Sequence, residues 1–444
     1  MTNFYFNDDP AQLPEYSENC HPVQIFNTHP YDSSKHSRAS ASLLNQIRKL
    51  GISVNANAID LITIATAVTA AETFERRGDA ADAWSRVMHL HVPVTDEETW
   101  NRLSDRLSST LNFLTGDQWK FTFTKTTFEM PKPIVSYNSK ARLNSLKGLN
   151  SVCLFSGGLD SAVGAIDILN AKFSTYKPLL LSHAYRGDGV KQNDIKKLLK
   201  PNYGELSYSI SPRLMTRLRG KTDVTMRGRS FNFLAMAVLG ISALRNANGD
   251  NSISTIIVPE NGYISINPPL TRRRIGSHST RTTHPYFLGR LEELLEDAGF
   301  HVKFVNPYQF KTKGEMLAEC VDQESIAKAI PLSVSCSHWH RKHKQCGRCL
   351  PCLIRRSSIY HAGFSKDAEY VSQNLTYVYK AKDTRDDLQA IQTAIIRLAQ
   401  TQDYKSWIRQ SGSLPREQAI RDDLEFTIKR GLKEVEVFLK AEKI

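Results

Sequence analysis

A short glycine-rich turn between an apolar strand and a helix does most to restrict what this chain can fold into. Residues 156–161 read Ser-Gly-Gly-Leu-Asp-Ser, after the apolar run 152–155 and before 162–166, which is predicted to be helical. Glycines let backbone N–H groups approach a phosphate, and a helix N-terminus adds partial positive charge at the same place. The sequence therefore predicts an anion-binding cradle within an α/β fold.

The side chains of this turn define its chemistry more closely. The Ser156 and Ser161 hydroxyls add donors, and the Asp160 carboxylate can hold Mg²⁺ beside a polyphosphate. The turn lacks the Gly-Lys-Ser/Thr ending of a Walker loop and the three-glycine spacing of a dinucleotide fingerprint. It resembles the PP-loop of ATP pyrophosphatases, which split ATP between the α- and β-phosphates; an ordinary strand-to-helix turn is the alternative. The resemblance implies that Asp160 and Ser161 are catalytic. It also implies that the nucleotide is bound by Ser156, Gly157, Gly158, Leu159, Asp160 and Ser161.

Strand and helix patterns alternate from about residue 148 to residue 330. The candidate strands are 152–155, 178–182, 206–210, 255–259 and 302–305, and the candidate helices are 160–171, 190–199, 229–246 and 285–298. Such alternation predicts a doubly wound, mostly parallel sheet with helices on both faces. Ligands of these sheets bind at the carboxyl ends of the strands, where the turn at 156–161 is expected.

Composition and periodicity divide the rest of the chain into four more segments. We predict an extended polar arm at 1–40 with one short strand at 23–26, an N-terminal α+β domain at 41–147, a four-cysteine zinc-binding segment at 331–365 and a helical C-terminal extension at 366–444. These surround the PP-loop ATP-binding domain at 148–330. The α+β prediction rests on helical patterns at 59–68 and 96–113 and on strand patterns at 89–94 and 119–124.

Charge and cysteine usage indicate the cellular setting. The formal net charge of +13 favours an acidic partner, which could be a nucleotide, a nucleic acid or an acidic protein surface. The N-terminus lacks the pattern of a signal peptide, and the most apolar segment, 59–71, is too short to span a membrane. Four of the seven cysteines cluster, which suits a reducing cytosol better than a disulfide framework. We therefore expect a cytoplasmic protein without a membrane partner.

The clustered cysteines have the spacing of metal ligands. Cys336, Cys346, Cys349 and Cys352 form Cys-x9-Cys-x2-Cys-x2-Cys, with Gly347 as the bend. Two thiolates on a tight turn can face one ion, and four complete a tetrahedron, so a structural Zn²⁺ is the first expectation. An iron–sulfur cluster is the alternative. The histidines between the first two cysteines are possible competing ligands, although we expect them to be solvated.

The turn and the cysteines together resemble one family. A PP-loop followed by Cys…Cys-Gly-x-Cys-x2-Cys-x2-Arg is similar to the 7-cyano-7-deazaguanine synthases of the QueC type, over about residues 148–365. The outer segments look like the enlarged QueC-like proteins associated with bacterial antiphage systems, the QatC type among them. This resemblance implies an ATP-dependent carbon–nitrogen ligase that adenylates 7-carboxy-7-deazaguanine and joins it to an amine. The amine could be ammonia or belong to a partner protein encoded in the same system.

Further nucleotide-binding candidates lie near predicted strand ends. The resemblance implies that Ser182 and His183 hold the adenosine, although a solvated strand end explains them equally well. Arg227 and Arg229 precede and begin a helix, where guanidinium groups suit phosphate; Arg229 is also a catalytic candidate. A lysine in 311–315 could reach the β- and γ-phosphates, or the segment could simply cap a helix.

Candidate substrate contacts follow the predicted strand at 255–259. Glu260 and Asn261 could hydrogen-bond a deazaguanine, and Tyr263 could stack on it. A plain turn is the alternative. Arg281 lies in a basic loop that could clamp a carboxylate or a phosphate, or could be solvated.

Three other functions stay open. One is 7-cyano-7-deazaguanine synthesis in queuosine-type biosynthesis. A second is a tRNA-modifying PP-loop enzyme, which the charge suits, although the expected burial of Cys153 leaves no reactive cysteine near the turn. A third is a non-catalytic nucleotide-binding scaffold.

Overall fold

The chain folds as two compact units, each assembled from separate stretches. The structure, a computed structural model, describes residues 1–26, 28–173, 175–183, 188–203, 207–209, 227–275, 281–339, 343–381, 386–400 and 404–444. The first unit comprises Met1–Val152, Tyr208–Ile256 and Phe287–Phe304, and the second comprises Cys153–Ser207, Ile257–Tyr286 and Val305–Ile444.

The strands form two five-stranded sheets. In chain order they are β1 Thr2–Asn7, β2 Cys20–Ile25, β3 Ser37–Ala39, β4 Val87–Val94, β5 Gln118–Lys125, β6 Ser151–Leu154, β7 Pro178–Ser182, β8 Ser207–Ser209, β9 Thr255–Ile257 and β10 Lys303–Val305. The sheets have the orders β3-β2-β1-β4-β5 and β10-β9-β6-β7-β8. Pairing within the sheets is parallel only, which confirms the expected α/β class.

Helices connect and cover these strands. In chain order they are α1 Leu43–Arg48, α2 Ala56–Phe74, α3 Glu97–Arg102, α4 Ser104–Thr115, α5 Tyr137–Leu146, α6 Leu159–Leu169, α7 Asp188–Tyr203, α8 Arg229–Asn248, α9 Gly262–Ile266, α10 Pro285–Asp297, α11 Lys313–Ala318, α12 Gln323–Ala329, α13 Leu350–His361, α14 Leu375–Lys380, α15 Asp386–Gln400, α16 Tyr404–Arg409 and α17 Gln418–Ala441. In the parts of the chain that the structure describes, no helix has both the length and the apolar character needed to cross a bilayer.

The N-terminal residues form β1, β2 and β3, so the prediction of an extended arm at 1–40 is wrong, although the short strand predicted within it at 23–26 overlaps β2. β1 is the central strand of the first sheet, with Phe4 opposite His21 of β2 and Leu90 of β4. Phe4 and Phe6 are buried on one face, whereas Tyr5 points to the other. The polar connections between these short strands obscure their period-two pattern in the sequence.

The prediction of an α+β domain at 41–147 is also wrong. β4 and β5 pair in parallel over their full length, from Val87 opposite Gln118 to Val94 opposite Lys125. Parallel neighbours require a crossover, which α3 and α4 provide. The region is therefore part of a second α/β arrangement that includes β1–β3.

Two apolar helices form the core of the first unit. α2 and α8 are buried almost all round and pack against each other. Helices without a polar face must be covered on every side, since exposed apolar surface is unfavourable in water. The backbone N–H of Asn55, at the start of α2, donates to Ser242 Oγ of α8 at 2.8 Å.

The first unit also buries a cluster of charged side chains. Arg77 and Arg86 each lie 2.6 Å from Asp117, and Arg86 lies 3.5 Å from Glu72. Glu72 Oε2 accepts a hydrogen bond from the Gly228 N–H at 2.8 Å. Burial raises the pKa of Glu72 to about 7, against the opposing charge of Arg86.

The C-terminal residues belong to the core of the second unit. α17 packs against α13 and α9. Glu434 of α17 accepts hydrogen bonds from the Thr312 hydroxyl and, at 3.3 Å, from the Gly314 N–H, at the start of α11. Residues 366–444 therefore help to form the packing around the strand ends of the second unit.

Candidate functional site

The glycine turn lies where the sequence places it, between β6 and α6. Gly157 has φ 78°, in the left-handed region that disfavours residues with a side chain. Its carbonyl oxygen accepts from the Val334 N–H at 3.1 Å. The Ser161 hydroxyl donates to the Gly158 carbonyl at 2.9 Å and lies 3.2 Å from Ser156 Oγ. These contacts fix the turn at the carboxyl end of β6.

Asp160, in the first turn of α6, is buried and paired with a lysine. Lys313 Nζ and Asn261 Nδ2 each donate to Asp160 Oδ2 at 2.9 Å. Burial alone would raise the pKa of Asp160, but the charge of Lys313 and the hydrogen bonds around the carboxylate lower it below its ordinary value. Asp160 is therefore a buried anion at the helix N-terminus.

Lys313 comes from the 311–315 segment, for which the helix-capping interpretation is confirmed, whereas contact of a lysine with a phosphate stays a prediction. Thr312 and Glu315 form a capping box at the start of α11. The same cap brings Lys313, with 8% of its side chain exposed, against Asp160. The capped start of α11 thus positions Lys313, the only cation that pairs with Asp160 among the described residues.

Glu260 brings a second carboxyl group to Asp160. Burial, and then the neighbouring Asp160 charge, raise the pKa of Glu260 well above its ordinary value. The Asn261 amide lies between them, since Nδ2 is 2.9 Å from Asp160 and 3.2 Å from Glu260 Oε1. The shared environment therefore favours a protonated Glu260 beside an ionised Asp160.

Close packing of a glycine sets this arrangement. A side chain at Gly164, one turn after Asp160 on α6, would overlap Pro259. This close approach brings the residues after β9 against the start of α6. Asn261 is held further because its Oδ1 accepts from the Ile264 N–H at 3.0 Å and caps α9. A glycine inside a predicted helix was the available sequence signal for this contact, and sequence reasoning missed it.

Ser182 and His183 lie at the end of the neighbouring strand, β7, and are fully buried. Gln192 ties this strand end to the turn by donating to the Ser156 and His183 carbonyls at 3.0 and 2.9 Å. The Ser182 hydroxyl is buried without a hydrogen-bond partner among the described residues. Sequence reasoning missed Gln192, which carries no motif of its own.

Two other predicted substrate contacts lie in different surroundings. Tyr263 is 2% exposed in the core formed with the C-terminal helices, where its ring adjoins Gly431. Its ring is covered, so the prediction that Tyr263 stacks on a substrate does not fit this conformation. Arg281 is partly exposed, and burial lowers its pKa.

The two predicted phosphate-binding arginines belong to the first unit. Arg227 donates to the Thr115 carbonyl at 3.1 Å, and its guanidinium lies 4.6 Å from the centre of the Trp84 ring. Arg229 is the first residue of α8 and is partly exposed. Their assignment to ATP stays a prediction.

The four cysteines come together as a buried cluster. Sγ atoms of Cys346 and Cys352 are 3.9 Å apart, and those of Cys336 and Cys349 are 3.8 Å apart. Zinc–sulfur bonds of about 2.3 Å in a tetrahedron give sulfur separations of about 3.8 Å. The donor set therefore fits a metal ion such as zinc.

A histidine also reaches this cluster. Ligand atoms of Cys336, His338, Cys346 and Cys349 all lie within 4.8 Å of one another. His338 is partly exposed, whereas Cys352 is fully buried. The expectation that the intervening histidines are solvated is thus incomplete for His338, and His340 lies outside the described residues.

Comparisons with known proteins add no relative from which a role could be transferred. Family models, curated proteins and solved structures were all compared with the chain, and none matches it.

Proposed function

We propose that the second unit binds ATP and Mg²⁺ at residues 156–161 and adenylates the carboxylate of a deazaguanine, 7-carboxy-7-deazaguanine. The adenylate then reacts with an amine to give an amide. The observation that carries the proposal is the buried group of Asp160, Glu260, Asn261 and Lys313 beside a glycine turn at the strand ends. Charged groups are costly to bury, so their concentration at a ligand-binding edge favours a functional role.

The residues of this group suit a polyphosphate and a divalent cation. Asp160 and Glu260 would hold Mg²⁺, which prefers carboxylate oxygens and would supply charge neutralisation beside the phosphates. Lys313 would then be available to a phosphate oxygen, since the metal charge would replace its own next to Asp160. Backbone N–H groups of the turn and the Ser156 and Ser161 hydroxyls would add donors.

The bond changes are those of an acyl adenylation. A carboxylate oxygen attacks the α-phosphorus, the bond to the bridging oxygen of the β-phosphate breaks, and pyrophosphate leaves. The amine nitrogen then attacks the acyl carbon, AMP leaves, and the amine loses a proton. Positioning and electrostatic stabilisation would supply the catalysis, without a protein nucleophile.

Binding of the adenosine is proposed for the end of β7. The Ser182 hydroxyl is buried and has no hydrogen-bond partner among the described residues, as expected where a ligand supplies the missing hydrogen bond. Asn261 and Arg281 are proposed for the deazaguanine. The cysteine cluster is proposed to hold a structural Zn²⁺ with Cys336, Cys346, Cys349 and Cys352 as ligands, because four protein ligands leave no position for water.

The acceptor amine distinguishes two forms of the proposal. An amine on a partner protein would suit an antiphage system. Ammonia would give an amide, whose oxygen would leave as AMP after adenylation by a second ATP, with loss of a proton, to form 7-cyano-7-deazaguanine. Mass spectrometry of the products with each amine separates the two. A tRNA thiolase is not favoured, because Cys153 is fully buried and burial raises the pKa of its thiol.

Pyrophosphate release from ATP in the presence of 7-carboxy-7-deazaguanine tests the proposal. Asp160→Asn should reduce the rate by at least about 100-fold, because an amide neither holds Mg²⁺ nor pairs with Lys313. Asp167→Asn is the matched control, since Asp167 is buried on the same helix and also paired with a lysine, Lys172, at 2.9 Å. Equal activity of folded Asp160→Asn and wild type would reject the enzyme and leave a nucleotide-binding scaffold.

A further inference from the structure

We infer that the first unit carries a second ligand site, for a phosphorylated small molecule, at the carboxyl edge of its parallel sheet. The site is a cavity of about 790 Å³. Pockets for nucleotide-sized ligands have about 300–1,000 Å³, so this cavity is large enough. All of its lining residues lie in the first unit, and the inference does not depend on the function proposed for the second unit.

The cavity is built from segments that follow three parallel strands. Thr28 follows β2, residues 41–48 follow β3, and Glu129–Lys132 follow β5. The carboxyl ends of parallel strands meet at one edge of a sheet, which is the usual ligand-binding edge of α/β proteins. The parallel sheet therefore brings three segments that are distant in sequence to one edge.

The segment after β5 lines one part of this cavity and is tied to the segments after β1, β2 and β3. Phe128 packs edge-on against Phe26, with ring centres 5.1 Å apart. Thr127 Oγ lies 3.3 Å from Asp8 Oδ1, just after β1, and the Ile134 N–H donates to the Arg48 carbonyl at 2.8 Å. The segment is thus anchored both before and after its lining residues, Glu129–Lys132.

Positive charge predominates in the lining. Arg38, Arg48 and Lys132 contribute three cations, and Glu129 contributes one carboxylate. Among the described residues, neither Arg48 nor Lys132 forms an ion pair; Arg48 Nε makes one long contact, 3.4 Å, to the Lys132 carbonyl. Arg48 and Lys132 line the cavity with exposed side chains. Exposed cationic groups without carboxylate partners, as these two are among the described residues, suit a phosphate group.

The remaining lining suits the rest of a phosphorylated metabolite. Ser42 and Asn45 offer polar side chains, and Leu44 and Met130 offer apolar surface. A small number of polar groups beside an apolar wall is typical of sites for small organic ligands. The ligand class is therefore a small phosphate ester, of which a nucleoside monophosphate is a convenient probe.

Binding of AMP and of inorganic phosphate to the full chain, measured by calorimetry at low salt, tests the site. All proteins carry Asp160→Asn, which weakens the separate site proposed in the second unit. Arg48→Gln should weaken AMP binding about tenfold, because it removes a charge-assisted hydrogen bond to the phosphate. Lys140→Gln is the control, because this exposed lysine on α5 makes the same charge change away from the cavity.

A second variant gives an effect of opposite sign. Glu129→Gln removes the only carboxylate in the described lining and should tighten AMP binding about threefold. Partial unfolding of the variant could not produce such a gain in affinity. Tighter binding of AMP than of inorganic phosphate supports a phosphate ester, and equal affinity would overturn that assignment. The site itself is overturned if Arg48→Gln and Lys140→Gln bind AMP alike, or if only RNA oligonucleotides bind in an Arg48-dependent manner.

Discussion

Two buried aspartates on α6 show how a structural carboxylate differs from a candidate functional one. Asp167 accepts from the Tyr308 hydroxyl at 2.7 Å, from Lys172 at 2.9 Å and from the Val321 N–H at 2.9 Å. Its oxygens are satisfied, as stability requires. Asp160 has its donors on one oxygen and a second carboxyl beside it. That unequal environment favours ligand binding over structural support.

Lys313 should be needed for chemistry, whereas its neighbour Lys311 should not. Lys313→Gln removes the cation paired with Asp160 and should reduce pyrophosphate release at least about 100-fold, by analogy with other positioned charges. Lys311→Gln affects an exposed pair with Glu319 and should leave the rate within about twofold. A Lys313→Gln protein with the wild-type rate would contradict the proposed role.

Glu72 should make the first unit less stable as the pH rises. Its pKa is raised from 4.5 to about 7 in the folded protein. Its contribution to the free energy of unfolding is therefore complete below pH 4.5 and is lost as the pH rises through 7. The expected loss is about 3 kcal/mol. Denaturant unfolding at pH 5 and pH 8 should show this change.

Glu72→Gln should flatten that dependence, because an amide remains neutral and can still accept from the Gly228 N–H. Glu98→Gln, at an exposed position on α3, is the control and should keep the wild-type dependence. Identical pH dependence in Glu72→Gln and wild type would show that Glu72 is not responsible.

At the scale of elements, strong local sequence patterns were sufficient to predict a strand or a helix, and weak patterns were not. The strand predicted at 178–182 coincides with β7, and the helix predicted at 229–246 closely matches α8. Long apolar runs with clear ends specify such elements locally. β1 was missed, because its burial depends on pairing with β4, which lies far along the chain, whereas the strand predicted at 23–26 overlaps β2.

The candidate site was predictable in part for the same reason. The residues of the turn are consecutive and have a recognisable chemistry. The pairing of Asp160 with Lys313 joins positions 153 residues apart, and it depends on how α11 is capped. The sequence around Tyr263 does not show that its ring is covered. The ring is buried against α17, which lies far along the chain, so its burial could not be predicted locally.

The cysteine cluster should bind one equivalent of zinc per chain and lose it when Cys352 is changed. Cys352→Ser removes a fully buried thiol close to Cys346 and should abolish retention after gel filtration, measured by elemental analysis. His338→Ala should retain the metal. Zinc retained by Cys352→Ser but lost by His338→Ala would identify His338 as the fourth ligand. Iron in the elemental analysis, together with visible absorbance, would identify an iron–sulfur cluster instead of zinc.

At the scale of the whole molecule, the N-terminal sheet should not fold as a fragment. Residues 1–152 lack Tyr208–Ile256 and Phe287–Phe304, which complete the first unit. Without α8, the apolar surface of α2 is exposed, and several buried side chains return to water at about 1.5–3 kcal/mol each. We expect an insoluble or molten fragment, judged by solubility and near-ultraviolet circular dichroism. A cooperative unfolding transition in this fragment would contradict the expectation.

The interleaving of the two units also determines when the protein can fold during its synthesis. At about 5–20 residues per second, α8 leaves the ribosome about 10–35 s after α2. Throughout that interval α2 lacks the helix that covers it in the finished unit. The nascent chain should therefore engage a holding chaperone during translation, and ribosome profiling of chaperone-bound chains should show that engagement end once α8 has emerged.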